Sequence, residues 1–504
     1  MPVVRSGVDY FVADLDERES AVMITGTHRV ARMPREVGER LRRGVEHLSV
    51  EERAAWESLA VTEDAGSNRD TLQRSDLADG SDFAVNVNLT NICNLACTYC
   101  FAEGGDYGRM KEAMGEHSVG WIFTFIEENL APGRRVRFEF FGGEPLANFP
   151  LIKAICERSE RVAAERDLQF VYRISTNLTL MPAGITELFA KHRFIVSVSL
   201  DGPREVQDRN RPAKNGRGSY DRIMKNLWTL RHAADDNIIL VARMTIATEQ
   251  PTLVDSVREL WSLNLFDFFQ IYPGVYPVNQ QGKSVALTLK LGDKVLSGPQ
   301  EIAYVNHFLR PGMIEQFRDF LHAYPSLFTP ENRFAGVLEY ERTAQMMLEG
   351  LTALSFCSGG RTYYTHSPDG TISPCHRLVG EESFDVGTGQ SGLTRPHPEW
   401  RRTVDEHPVC GQCWARYLCG GGCRQENYVA SGDLNVLNEE SCRYQLLLAE
   451  EVVRLVARAG EPYLARDRNV FDDLFVSCGR PVTPNGRTDA RPAADAVQPF
   501  ELVC

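Results

Sequence analysis

From Asp82 to Tyr272 the sequence alternates short strand-like runs with helical ones, and this constrains the fold more than any other feature. The runs FAVNVNLT (83–90), RVRFEFF (135–141), LQFVYRIS (168–175), FIVSVSL (194–200), NIILVARMTIA (237–247) and DFFQIY (267–272) are rich in β-branched and aromatic residues. Helical periodicity fills most of the gaps, as in WIFTFIEENL, LIKAICERSERVAAE and YDRIMKNLWTLRHAA. Strands separated by helices predict parallel pairing, hence an α/β fold built as an open sheet or an incomplete barrel. In such folds the chemistry sits at the carboxyl ends of the strands.

The chain has 504 residues, 43% of them apolar and 24% charged. That is room for about three domains with real cores. Its 55 basic and 68 acidic residues leave a formal charge of −13, which argues against nucleic acid or an anionic membrane as partner. The N-terminus has no apolar signal region, and no apolar run is long enough to span a bilayer, so a cytoplasmic protein is expected.

The flanks read differently. DYFVADL and SAVMITG alternate like short strands, followed by helical PREVGERLRRGVEHL and SVEERAAWESLA. The polar run EDAGSNRDTLQRSDLADGSD reads as a linker. Beyond the barrel, MIEQFRDFLHAY and AGVLEYERTAQMMLEG are helical, a further helix lies near 443–459, and TPNGRTDARPAADAVQPF reads as a mobile tail. The expected units are 1–80, 81–290, 291–350, 351–450 and 451–504.

Of thirteen cysteines, ten fall into two knots, and Cys156, Cys478 and Cys504 stand alone. In the first, NICNLACTYCF follows directly on the end of the first barrel strand. Its C-x3-C-x2-C spacing puts Cys93, Cys97 and Cys100 within eight residues. Three thiolates on a 4Fe–4S cube leave one iron open. A closed zinc site needs a fourth ligand, and no Cys or His lies nearby to supply it.

Here the chain resembles the radical S-adenosylmethionine (SAM) superfamily. The resemblance implies that Cys93, Cys97 and Cys100 ligate a SAM-binding 4Fe–4S cluster, with Tyr99 near the adenine. FFGGEPL ends the second strand; its glycines let backbone approach a ligand closely. The resemblance implies that Gly142, Gly143 and Glu144 meet the SAM amino group. Ser175-Thr176-Asn177 resembles the family's Ser-Thr-Asn-Gly, with Leu178 in place of the glycine and Asn177 as a cofactor contact. Strand alternation puts Ser197, Ser199 and Asp201 on one face, the inner one in a barrel with helices outside. Ser199 is then the partner for the SAM carboxylate or ribose. DGPREVQDRNRP departs from the family by carrying Gln207 where His is usual. An arginine is expected at the carboxylate, with Arg217, Arg222 and Arg243 as alternatives. Arg137 with Glu139, Arg173 with Ser175, and Arg243 with Thr245 share faces, either lining a cavity or bracing the barrel.

The second knot comprises Cys357, Cys375, Cys410, Cys413, Cys419, Cys423 and Cys442. Gly370 in SPDG predicts a hairpin between YYTH and TISPC that brings Cys357 and Cys375 together. Zinc binding is the alternative reading. The array is similar to the SPASM domain. That likeness implies one auxiliary 4Fe–4S cluster on Cys410, Cys413, Cys419 and Cys442, and a second on Cys357, Cys375 and Cys423. Leu351 stands where family members with a closed second site carry an upstream cysteine. This leaves an open iron, or a fourth ligand from Cys478 or Cys504. Cys156 sits in an apolar helix and reads as core.

Together these features imply a partial (β/α)6 radical SAM barrel with a C-terminal iron–sulfur SPASM domain. The small N-terminal α+β unit resembles the winged-helix leader-recognition element of peptide maturases, or else is a simple cap. The implied function is maturation of a ribosomal precursor peptide carrying a leader. SAM and three 4Fe–4S clusters are the cofactors, and a flavodoxin- or ferredoxin-type protein is the electron donor. A 5′-deoxyadenosyl radical would abstract hydrogen, leading to a thioether or carbon–carbon crosslink. The alternatives are formylglycine formation of the sulfatase-maturase type and a non-catalytic zinc- or cluster-binding scaffold. Sulfatase maturases place an Asp base after the second SPASM cysteine; here the residue is His376.

Overall fold

Three short strands, β1 (Tyr10–Asp14), β2 (Glu19–Ile24) and β3 (Val30–Pro34), form an antiparallel sheet at the start of the chain. The computed structural model describes residues 10–60, 83–100, 102–105, 111–247, 250–279, 290–291, 294–295, 302–395, 400, 402–466 and 501–502. The expected linker at 63–82 and tail at 483–500 lie outside the described residues. β3 was not legible in the sequence, because Arg29, Arg32 and Pro34 interrupt its apolar pattern. Alternation sorts the sheet's side chains to two faces. Val22, Ile24, Ala31 and Met33 pack under α1 (Arg35–Arg43) and α2 (Val50–Ala60), around Trp56. Ala13, Ala21, Met23 and Val30 turn the other way, into the main core. A capping box starts α2: the Glu52 N–H donates to Ser49 Oγ at 3.2 Å, and the Ser49 N–H donates to Glu52 Oε2 at 2.9 Å.

The six expected barrel strands all form: β4 (Phe83–Asn88), β5 (Arg135–Phe141), β6 (Gln169–Thr176), β7 (Ile195–Ser199), β8 (Ile239–Ile246) and β9 (Phe268–Pro273). They pair in parallel in chain order. Phe138, Phe140, Tyr172, Ile174, Val196, Val198, Leu240 and Met244 point outward into the helix-covered core. The opposite face is layered. Ile195, Val241, Phe268 and Leu338 make an apolar floor. Above that floor, towards the carboxyl ends, come Arg173, Ser175, Ser197, Ser199, Arg243, Thr245 and Gln270, all partly exposed.

The sheet runs beyond the barrel at both edges. Gly336–Val337 adds in parallel to β9, and Tyr363–His366 adds in parallel to β4. The expected hairpin follows, pairing Thr365 with Ser373 and His366 with Ile372. Gly370 takes φ +84° in its turn. The second cysteine unit is therefore joined to the barrel by a shared mixed sheet, a long-range pairing with no local sequence signal. No described helix is long and apolar enough to cross a membrane.

Candidate active site

The loop after β4 carries the first three cysteines and is gripped from two sides. On one side the Gly143 N–H donates to Thr90 O (2.7 Å) and the Glu144 N–H to Ile92 O (2.9 Å). A Cβ on Gly142, whose φ is +123°, would lie 2.4 Å from Thr90 O; one on Gly143 would lie 2.3 Å from Ile92 O. These two glycines thus let the cysteine loop approach closely. On the other side the Ala96 N–H donates to Pro212 O (2.8 Å) and the Thr98 N–H to Asn210 O (2.9 Å).

Within this grip stand the three thiols. Burial pushes Cys97 up to about 12 and also raises Cys93. Cys93 and Cys100 both lie within electrostatic range of Cys97. Asn177 Nδ2 donates to Cys93 Sγ at 3.8 Å. All three are free of disulfides.

Glu144 is buried, and burial pushes its carboxyl up to about 7. It accepts from Thr176 Oγ1 (2.6 Å), the Asn177 N–H (2.8 Å) and the Leu146 N–H (3.1 Å). This ties the ends of β5 and β6 together behind the cysteine loop. Leu178, the departure from Gly, still takes the left-handed backbone, with φ +52°. That conformation costs a non-glycine residue about 1–2 kcal/mol, and the fully buried side chain offsets it.

A second hub was missed by the sequence reading. Buried Asp201 accepts from Arg211 Nε (3.1 Å) and Nη2 (3.0 Å) and from the Thr245 N–H (2.9 Å), and Tyr99 also donates its hydroxyl to it. The Arg211 guanidinium lies 5.2 Å from the Tyr99 ring centroid. Burial pushes the Tyr99 phenol well above its ordinary value. Gln207, in the usual His position, accepts from the Asp201 N–H (2.9 Å) and donates to Ser219 Oγ (3.2 Å). The only signal for Arg211 was its place in RNRP, ten residues after Asp201.

Of the three candidate arginines, Arg243 reaches the barrel interior. Its Nη1 donates to Ser175 Oγ at 3.1 Å, and it lies over Tyr272 (5.4 Å) and Phe141 (5.8 Å). Ser199 stands beside it, in register across the sheet. Arg217 and Arg222 are exposed on the surface. Arg137 and Arg173 flank Glu139 at 2.9 and 3.7 Å. Against the cost of burial, the two arginines hold that carboxyl below its usual range. Glu339, at the start of the helix Leu338–Glu349, accepts from the Ile271 N–H (3.2 Å), and burial pushes it up to about 7. Nothing local in the sequence marked it.

Residues 87–250 match the Radical SAM superfamily. The chain carries a radical SAM domain. It is similar to the cysteine-type anaerobic sulfatase-maturating enzyme of Clostridium novyi (strain NT), 26% identical over 353 residues that cover 66% of this chain and 85% of that protein. The serine-type enzyme of Klebsiella aerogenes is 30% identical over 172 residues, 33% of this chain and 42% of that one. The solved structure of native anSMEcpe with bound AdoMet shares the fold, with a TM-score of 0.58 and 18% identity over 74% of this chain and 98% of that chain.

The donor set of the radical SAM domain fits an iron–sulfur cluster. Thiols raised by burial stay neutral when free, so cationic iron is what would draw them into the thiolate form. Among the described residues, no three His, Cys, Asp or Glu side chains close tightly enough for a single ion. A cubane, with each thiolate on its own iron, takes a wider ligand set.

Beyond the radical SAM domain the other thiols form two sets. Cys375 interacts with Cys423 and Cys357. Cys410 interacts with Cys419, Cys413 and Cys442. Arg377 Nη1 donates to Cys423 Sγ at 3.6 Å and to Glu426 at 2.8 Å. The bend at Gly420, with φ +75°, brings the chain against Ser355, where a Cβ would lie 2.4 Å from the carbonyl carbon. Cys442 lies in the first turn of the helix Glu439–Arg458, which Asn438 caps through the Ser441 N–H at 3.1 Å. Cys478 and Cys504 lie outside the described residues. Cys156 is fully buried in the main core.

Proposed function

We propose that the chain is a radical SAM maturase that closes an intrapeptide thioether or carbon–carbon crosslink in a ribosomally made precursor. The observation that carries this reading is the position of the N-terminal sheet. Phe11 on β1 stacks on Trp414, the neighbour of Cys413, with ring centroids 3.8 Å apart. The outer edge of β3 already takes an extended strand. A sheet edge of this kind can hold a leader peptide by strand addition.

A 4Fe–4S cluster and SAM, bound at Cys93, Cys97 and Cys100, would supply a 5′-deoxyadenosyl radical that takes hydrogen from a substrate carbon. Gly142, Gly143 and Glu144 are assigned to the SAM amino group, Ser199 and Arg243 to its carboxylate or ribose, and Tyr99 and Asn177 to the remaining contacts. The two further cysteine sets are assigned to auxiliary clusters of a SPASM domain. Arg173, Arg243, Tyr272 and Glu339 orient the peptide above the apolar floor of the barrel, where the walls keep water from a carbon radical. That carbon would then join a thiol sulfur or an aromatic ring, whose hydrogen leaves as a proton while the surplus electron passes to an auxiliary cluster. A flavodoxin- or ferredoxin-type donor supplies the electron.

The sequence relatives favour a second reading, formylglycine formation. The structure anSMEcpe with bound AdoMet and Cp18Cys peptide, alike in fold with a TM-score of 0.57, has a peptide bound. Against this reading, His376 occupies the place of the maturase Asp. It shares a 2.8 Å hydrogen bond with the Tyr363 hydroxyl, and its ring lies 5.0 Å from that of Phe141. Anaerobic incubation with SAM, reductant and precursor peptide separates the two by mass spectrometry. A crosslink removes two hydrogens and leaves no aldehyde, whereas formylglycine from cysteine or serine leaves an aldehyde that a hydrazide reagent captures, and its formation from cysteine also removes sulfur.

A further inference from the structure

The sheet β1–β2–β3 has a fourth strand from the far end of the same chain. Glu501–Leu502 pairs antiparallel with β3, Glu501 opposite Arg32 and Leu502 opposite Ala31. We infer that this C-terminal segment is a displaceable occupant of a peptide-binding edge, competing in cis with an extended peptide partner.

Three observations support the inference. First, the template is rigid. Val30, Ala31 and Met33 are buried in cores on opposite faces of the sheet, so the β3 backbone is fixed before any strand arrives. A pre-ordered edge loses little entropy on pairing. Second, the edge is suited to strand addition: the resident strand holds it through an antiparallel ladder at Arg32 and Ala31, which an incoming extended peptide would use in the same way. Third, the charges match at the level of sequence. The run Arg29–Arg35 carries three basic residues, Arg29, Arg32 and Arg35, and no acid, while 495–504 carries Asp495 and Glu501 and no base. The partner chemistry is therefore an extended, acidic, apolar-flanked peptide. Tethering gives the resident segment a high effective concentration, so a weak strand can still compete.

This inference rests on reading the N-terminal sheet as the peptide-docking element, but its test needs neither clusters nor SAM, so the two can fail separately. The probe is a fluorescein-labelled peptide of residues 495–504 bearing Cys504→Ser, followed by fluorescence anisotropy. A chain ending at Ala494 should bind it saturably, and the full chain about tenfold or more weakly. Leu502→Pro in the full chain removes an N–H and disfavours the strand, and should restore binding to the level of the shortened chain. The same substitution in the probe should abolish binding. Equal affinity for full and shortened chains, or no binding to a shortened chain whose β2 amides keep their exchange protection, would overturn the inference.

Discussion

Gly143 lies so close to Ile92 that a Cβ on it would stand 2.3 Å from the Ile92 carbonyl oxygen, one residue before Cys93. Backbone packs against backbone there, so neither side can give way. Gly143→Ala should therefore displace the cysteine loop while leaving the barrel folded. The expected result is loss of about four irons per chain with little change in the thermal midpoint. Gly120, in the helix His117–Asn129, has nothing within 4 Å of its Cβ position. Gly120→Ala should stabilise by about 0.5–1 kcal/mol, which denaturant unfolding would register.

The Arg211–Asp201 pair anchors the other side of the loop. Asp201→Asn leaves the Arg211 guanidinium buried without its counter-charge, and breaking a buried pair from one side costs about 3–5 kcal/mol. Adding Arg211→Met should recover much of that loss. Urea midpoints of the single and double variants check both statements; a double variant no better than the single would show that the pair is not the source of the loss.

Leu178 opposes backbone strain to burial. Leu178→Gly relieves about 1–2 kcal/mol of left-handed strain, but deleting a buried leucine costs about 2–5 kcal/mol. The net expectation is a loss of stability. A variant more stable than the parent would mean that strain outweighs packing at this position.

His28 gives the fold an acid limit. It is fully buried on the turn between β2 and β3, its Nδ1–H donating to Met346 O at 3.3 Å, and burial lowers its pKa from 6.5 to about 4. The unfolded chain takes up this proton near pH 6.5 and the folded chain only near 4. Stability is therefore full above 6.5 and falls as pH drops towards 4, by up to about 3 kcal/mol. His28→Asn, which tolerates the local φ of +59°, should flatten that part of the stability profile. An unchanged slope between pH 4 and 6.5 would assign the effect to other groups.

What the sequence disclosed follows from what is local. All six barrel strands were legible because each is a β-branched and aromatic run bounded by helical periodicity. The polar inner face of β7 followed from period-two alternation alone. The SPDG hairpin was legible because its turn requires a residue such as Gly370 at positive φ. What stayed hidden is long-range or masked by competing signals. The Asp201–Arg211 hub joins a strand end to a loop. Tyr363–His366 pairs with β4 across most of the barrel, and Glu339 enters the site from a helix far along the chain. β3 was obscured by arginines whose neighbours are buried on both faces.

The most direct test of the central claim combines metal content with SAM turnover after anaerobic reconstitution. Iron, sulfide and zinc are counted per chain, and 5′-deoxyadenosine release is followed with SAM and reductant, for the parent and for Cys97→Ala. The account predicts about twelve irons in the parent, about four fewer in the variant, and release only from the parent. Release that persists in Cys97→Ala, or a chain that binds zinc alone and leaves SAM intact, would contradict it.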